Sequence, residues 1–190
     1  MLPPINFKNW IDENRHLLKP PVGNKVVYEN TEFIIMVVGG PNVRKDYHID
    51  EGEEFFYQLE GNIILRIMEN GKPKDVVINE GEIFLLPPKV PHSPQRPEGS
   101  IGMVIEKKRT PEQKDGFAWY CRKCQHKLYD HYLHVSNIET QLPIVFDEYY
   151  SKETISEIKN VIDGNKYNFI DVYRGVSNRN PPYVKPRAKL

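Results

Sequence analysis

The stretch RKDYHIDEGEEFFYQLEG (44–61) sets Arg44, Asp46 and His48 at alternate positions, follows them with four acidic residues in five, and then turns aromatic. Side chains alternate between faces along an extended chain, so Arg44, Asp46 and His48 are expected on one face and Val43, Lys45 and Tyr47 on the other. After the DEGE turn, Glu54, Phe56 and Gln58 share a face in the same way. Placing Arg44, His48 and Glu54 inside a protein is costly unless something inside pairs with them. A metal ion together with an anionic ligand would pair with all three. A second stretch, GEIFLLPPKVPHSPQR (81–96), delivers His92 after a proline turn, with Arg96 four residues on. Two histidines and one carboxylate hold an iron(II) ion while leaving adjacent coordination positions open, the arrangement that oxygen-activating enzymes use. His48, Glu54 and His92 are therefore the candidate metal ligands and catalytic residues. Glu53 is a register alternative to Glu54 that strand parity alone does not settle.

The elements around these residues read as a mainly β fold. From about 25 to 106, short runs rich in Val, Ile, Phe and Tyr (KVVYEN, EFIIMVVGG, EFFYQLEG, NIILRIMENGKPKDVVINEG, EIFLLPP, SIGMVIE) are punctuated by Gly, Pro and Asn every eight to twelve residues, the pattern of an antiparallel sandwich or barrel. ENGKPKD (69–75) reads as a hairpin turn. Phe55, Phe56, Tyr57, Ile63, Leu65, Ile83 and Leu85 are core candidates. Before the barrel, NFKNWIDENRHLLKPP predicts a short docking helix capped by Asn6, with Phe7, Trp10, Ile11, Leu17 and Leu18 on one stripe and Pro20-Pro21 as the stop. After residue 107 the pattern loosens into a polar arm holding Cys121 and Cys124. SKETISEIKNVIDG then predicts a second helix capped by Ser151 and Gly164, with Ile155, Ile158 and Val161 on its apolar face. The expected division is a barrel domain over 1–150 and a helix with an extended tail over 151–190.

Composition narrows the function classes. The 26 Lys+Arg balance the 26 Asp+Glu, so no overall field exists to draw in nucleic acid or an anionic membrane. The longest apolar run, FIIMVV, is far too short to span a bilayer, and the start of the chain lacks an export signal. Two cysteines spaced C-x-x-C are too few for a secretory disulfide framework, and a reducing cytoplasm is the expected location.

The two stretches resemble the paired motifs of the cupin superfamily. His48, Asp50, Glu54 and Gly61 fall on the first motif, with Asp50 in place of its second histidine, and the glutamate-to-glycine spacing selects Glu54 over Glu53. Gly81, Pro87, His92 and Arg96 fall on the second. The resemblance implies a small double-stranded β-helix (jelly-roll) barrel, with short N-terminal and C-terminal helices here, whose mouth holds a metal through three ligands. RKDYHIDEGEEFFYQLEG, GEIFLLPPKVPHSPQRP and WYCRKC are together similar to the 3-hydroxyanthranilate 3,4-dioxygenase family, over about residues 5 to 150. In that family the triad holds Fe(II), one per subunit. Residues matching Arg44 and Arg96 bind the substrate carboxylate, one matching Glu106 binds the polar ring substituents, and Asn24 matches a residue lining the same pocket, with Glu54 also facing the substrate.

The implied reaction inserts both atoms of O2 into a small aromatic amino-hydroxy-carboxylate, opening the ring to 2-amino-3-carboxymuconate semialdehyde, the precursor of quinolinate in the tryptophan-to-NAD route. The residues alone do not fix which ring bond breaks. Some relatives carry a second C-x-x-C and bind a further iron; here Cys121 and Cys124 would need His126, His131, His134 or another subunit to complete a tetrahedral site. A homodimer is expected by analogy. A dioxygenase of another aminophenol or catechol carboxylate, and a non-catalytic cupin binding a small carboxylate, are the competing functions.

Overall fold

The protein is described by a computed structural model over residues 2–19, 23–121, 124–136, 141, 144 and 145. Its β-branched and aromatic runs pair into two antiparallel sheets. The first has five strands in the order β1 (Asn24–Val26), β2 (Phe33–Gly39), β10 (Ile101–Lys107), β5 (Glu54–Glu60) and β8 (Ile83–Leu86). The second has seven: β12 (Lys127–Leu133), β11 (Asp115–Tyr120), β4 (Tyr47–Ile49), β9 (His92–Arg96), β6 (Ile63–Glu69) and β7 (Lys72–Ile78), with β3 (Asn42–Val43) also paired to β9. This is the mainly β, antiparallel two-sheet architecture that the alternating pattern implied. Met36, Phe56 and Val104 from the first sheet meet Ile63, Leu65, Ile67 and Ile78 from the second in one core. Full burial of each such side chain stabilises by about 1.5–3 kcal/mol. The expected hairpin joins β6 to β7 through Asn70 and Gly71, both at positive φ, the conformation a two-residue turn between twisted strands demands.

Helix α1 (Phe7–Asn14) starts where expected, with the Asn6 side chain accepting from the Asn9 amide. Ile11 and Leu18 pack with Val37 and Ile101. Arg15, just past the helix, pairs with Glu60 at the end of β5 at 2.8 Å. Leu17 departs from the predicted stripe: the chain tightens into a 3-10 turn over Arg15–Leu17, whose shorter period rotates Leu17 outward to 43% exposure. The Pro20-Pro21 stop and the helix expected over 151–164 lie outside the described residues.

Three further expectations are corrected. Residues 44–46 precede β4 rather than extending it, so strict alternation fails there, and Asp46, Tyr47 and His48 are all buried. The stretch after 107 is not a loose arm: β11 and β12 pair along their length, and β11 also pairs with β4, placing Phe117 directly beside His48. Ile83 and Leu85 are 64% and 52% exposed, because β8 is an edge strand whose inward positions are Phe84 and Leu86. Among the described residues no helix is long and apolar enough to cross a membrane.

Candidate metal centre

His48 on β4 and His92 on β9 are direct partners across adjacent strands of the second sheet. Glu54 opens β5 in the first sheet, so the three candidate ligands come from both sides of the barrel. Glu54 Oε1 lies 3.3 Å from His48 Nδ1 and 3.0 Å from His92 Nε2. One donor atom from each residue falls within 4.8 Å of the others, and all three side chains are buried. Glu54 Oε1 has no aligned hydrogen-bond donor, an expensive condition for a buried carboxylate oxygen. A cation between the three donors removes that cost, so the residues fit a divalent metal.

Each imidazole is also held from behind. The rear nitrogen of His92, Nδ1, donates to the Val90 carbonyl at 3.0 Å, which leaves Nε2 facing Glu54. His48 is turned the other way: Nε2 donates to Asp115 Oδ1 at 2.6 Å and Nδ1 faces Glu54. Burial disfavours a charged His48, but the hydrogen bond to Asp115 and the adjacent Glu54 carboxylate outweigh it and raise the imidazole to about 10. Glu54 is likewise opposed by burial yet drawn well below the usual carboxylate range by His92 and His48.

Around the triad the facing sides of the two sheets are of mixed character. In the first sheet Glu54 pairs with Glu106, Phe56 with Val104 and through it Met36, and Gln58 with Gly102 and through it Val38 and then Asn24. These rows share the inward face, so Asn24 lies two rows from Glu106 with apolar side chains between. Glu106 is raised to about 7 by burial and by the neighbouring Glu54 charge, against the pull of Arg109. Arg96, on β9, is 2% exposed, and its Nη1 has no hydrogen-bond partner. Burial and the like charge of Arg44 lower its guanidinium to about 10. Arg44 is not free in the same way: its Nε and Nη2 grip Asp46. A Cβ on Gly102 would stand 2.7 Å from Gln58 Oε1 and 2.8 Å from Arg96 Nη1, so the glycine keeps clear the space Arg96 faces.

Sequence reasoning did not find Arg109 or Asp115, which complete the surroundings. Arg109 donates from Nε to both Asp115 oxygens at 3.1 and 3.0 Å, and from Nη1 to Glu106 Oε1 at 2.5 Å. Its Nη2 lies 2.7 Å from Asp50 Oδ2, an ion pair without hydrogen-bond alignment. Asp50, which stands where the cupin motif has its second histidine, instead accepts the Gly52 amide at 2.7 Å and shapes the DEGE turn. Arg109 was hidden because it sits in a loop, six residues before a strand that was itself not expected. Cys121 is buried and Cys124 is partly buried. Among the described residues the clusters able to hold a metal are His48–Glu54–His92 and Asp50–Glu54–Glu106; neither includes a cysteine.

Residues 1–150 match the family described as 3-hydroxyanthranilic acid dioxygenase. The chain belongs to the 3-hydroxyanthranilic acid dioxygenase family. Similar proteins include the 3-hydroxyanthranilate 3,4-dioxygenase of Xanthomonas euvesicatoria pv. vesicatoria, 59% identical over 150 residues that span 79% of this chain and 85% of that one. The protein of the same name from Jannaschia sp. is 54% identical over 150 residues, covering 78% of this chain and 83% of its own. Among solved structures, a cupin-2 domain protein from Shewanella frigidimarina aligns with a TM-score of 0.44 and 20% identity over 54% of this chain and 93% of its own.

Proposed function

We propose that this chain is a 3-hydroxyanthranilate 3,4-dioxygenase that uses Fe(II) held by His48, Glu54 and His92. The observation that carries the reading is the buried three-donor cluster together with buried Arg96, which feels the Glu54 charge and whose Nη1 lacks a hydrogen-bond partner. When bound there, Fe(II) supplies a Lewis acid for the amino and hydroxyl groups of the substrate and a redox-active partner for O2.

The chain's own residues do the rest. Arg96 receives the ring carboxylate through a charge-assisted hydrogen bond, with Arg44 adding positive potential from its Asp46-bound position. Anchoring the carboxylate on one side and the amino and hydroxyl groups on the other fixes the ring in one orientation, which converts encounter into reaction. Phe56, Val104 and Met36 line the row between these polar ends and exclude water from the ring. Glu106, paired across β10 and β5 with Glu54, accepts the proton that the substrate hydroxyl gives up, and Asn24 borders the carboxylate end. The balance is simple: substrate and O2 combine, the ring bond between the hydroxyl-bearing carbon and its unsubstituted neighbour breaks, and both oxygen atoms remain in the semialdehyde product.

The test is oxygen uptake and near-ultraviolet product formation by anaerobically Fe(II)-loaded protein given 3-hydroxyanthranilate and then air. Stoichiometric uptake that a catechol carboxylate does not elicit is expected. Absence of uptake with 3-hydroxyanthranilate refutes the reading.

A further inference from the structure

A metal ligand needs only one nitrogen, yet His48 is held at both. Its Nε2 donates to Asp115 at 2.6 Å, its ring stacks on Phe117 with centroids 5.2 Å apart, and only Nδ1 faces Glu54. Asp115 is in turn fixed by the Arg109 fork, and the same guanidinium reaches Glu106 and Asp50. One buried cation therefore organises the carboxylate behind a ligand and the carboxylate beside the substrate. Burying several carboxylates without such a partner would push protons onto them and loosen the geometry. A carboxylate behind a ligating imidazole fixes its tautomer and raises its basicity.

We propose that Asp115 and Arg109 are positioning residues of this centre: Asp115 holds the proton of His48 on Nε2 so that Nδ1 is the metal-facing nitrogen, and Arg109 locks Asp115 and Glu106 into one frame. The inference rests on the metal reading above. It makes His48 and His92 inequivalent, one presenting Nδ1 and the other Nε2, although both come from neighbouring strands of one sheet.

The experiment uses the full chain and Co(II) as the probe, with affinity measured against a competing chelator and the ligand field read from visible absorption. Wild-type protein should bind Co(II), and His92→Ala should not. Failure of wild type to bind overturns the metal reading and this inference with it. Asp115→Asn should weaken Co(II) binding about 10- to 100-fold and alter the spectrum of the folded protein. Arg109→Lys, which keeps the charge and loses the fork, should fall between. Wild-type affinity and spectrum in Asp115→Asn, with His92→Ala still defective, overturn this inference alone. Where the variants do not fold, nitrogen-15 spectroscopy of Zn(II)-loaded wild-type protein decides: a protected Nε2–H on His48 supports the assignment, and an Nδ1–H on His48 overturns it.

Discussion

Replacing Arg96 with methionine, which keeps the length and removes the charge, should move stability and substrate capture in opposite directions. Arg96 is 2% exposed, and no carboxylate forms a salt bridge with it among the described residues. Burial and the Arg44 charge hold its guanidinium at about 10. At about 1.4 kcal/mol per tenfold change in proton affinity, the charged side chain costs folding about 3 kcal/mol. The sign follows from the direction of the shift: folding weakens proton binding, so the cost is complete at every pH below about 10 and is relieved only above it. Methionine removes that cost and returns part of it through imperfect packing, leaving about 1–3 kcal/mol of stabilisation, or ~2–10 °C in unfolding midpoint for a chain of this size. Substrate loses a hydrogen bond to a charged donor, about 1.5–3 kcal/mol, so kcat/KM should fall about 10- to 150-fold. Calorimetry of the metal-free protein and oxygen uptake with 3-hydroxyanthranilate read the two effects separately. A lower unfolding midpoint would mean that Arg96 is a structural side chain with partners of its own. An unchanged KM would remove it from the carboxylate clamp. Opposite movement is the signature of a group whose partner arrives with the substrate.

Further predictions address other parts of the pocket. Gly102→Ala places a methyl group against the buried ends of Gln58 and Arg96, so KM should rise at least about tenfold with kcat less affected; steady-state kinetics that match wild type would refute the crowding. Glu106, raised to about 7, accepts a proton only above that range, so kcat/KM should fall as pH drops through it. Glu106→Gln should abolish that acid limb and lower kcat about 100-fold or more, which a pH–rate profile checks. Phe117→Ala removes a buried ring stacked on His48 and should cost about 3–5 kcal/mol in urea unfolding, with weaker metal retention; full retention would show that the stack does not steady the imidazole.

The convergence of His48, Glu54 and His92 was legible because their spacing to glycine and proline landmarks survives any uncertainty in strand register, and the barrel was legible because period-2 apolar runs recur between turns. What sequence patterning missed has identifiable physical origins. DGFAWY is buried at most of its positions, so β11 reads as neither alternating nor helical, and without β11 nothing announces Asp115. Ile83 and Leu85 look like core by composition, but their exposure depends on which strand ends the sheet, a property of long-range pairing. Arg44 forms an ion pair with Asp46, two residues on. Arg96, chemically the same residue type, differs because the nearest carboxylate acting on it, Glu54, forms no salt bridge with it among the described residues.

The division of the three candidate donors between two sheets has a consequence beyond the chemistry. A cation held by the donors of β4, β9 and β5 would act as a rivet through the sandwich, so its binding energy would become part of what keeps the layers closed. Supply of the metal proposed for this site would then govern how long the polypeptide survives proteolysis as well as how fast it works, and scarcity would deplete the catalyst itself.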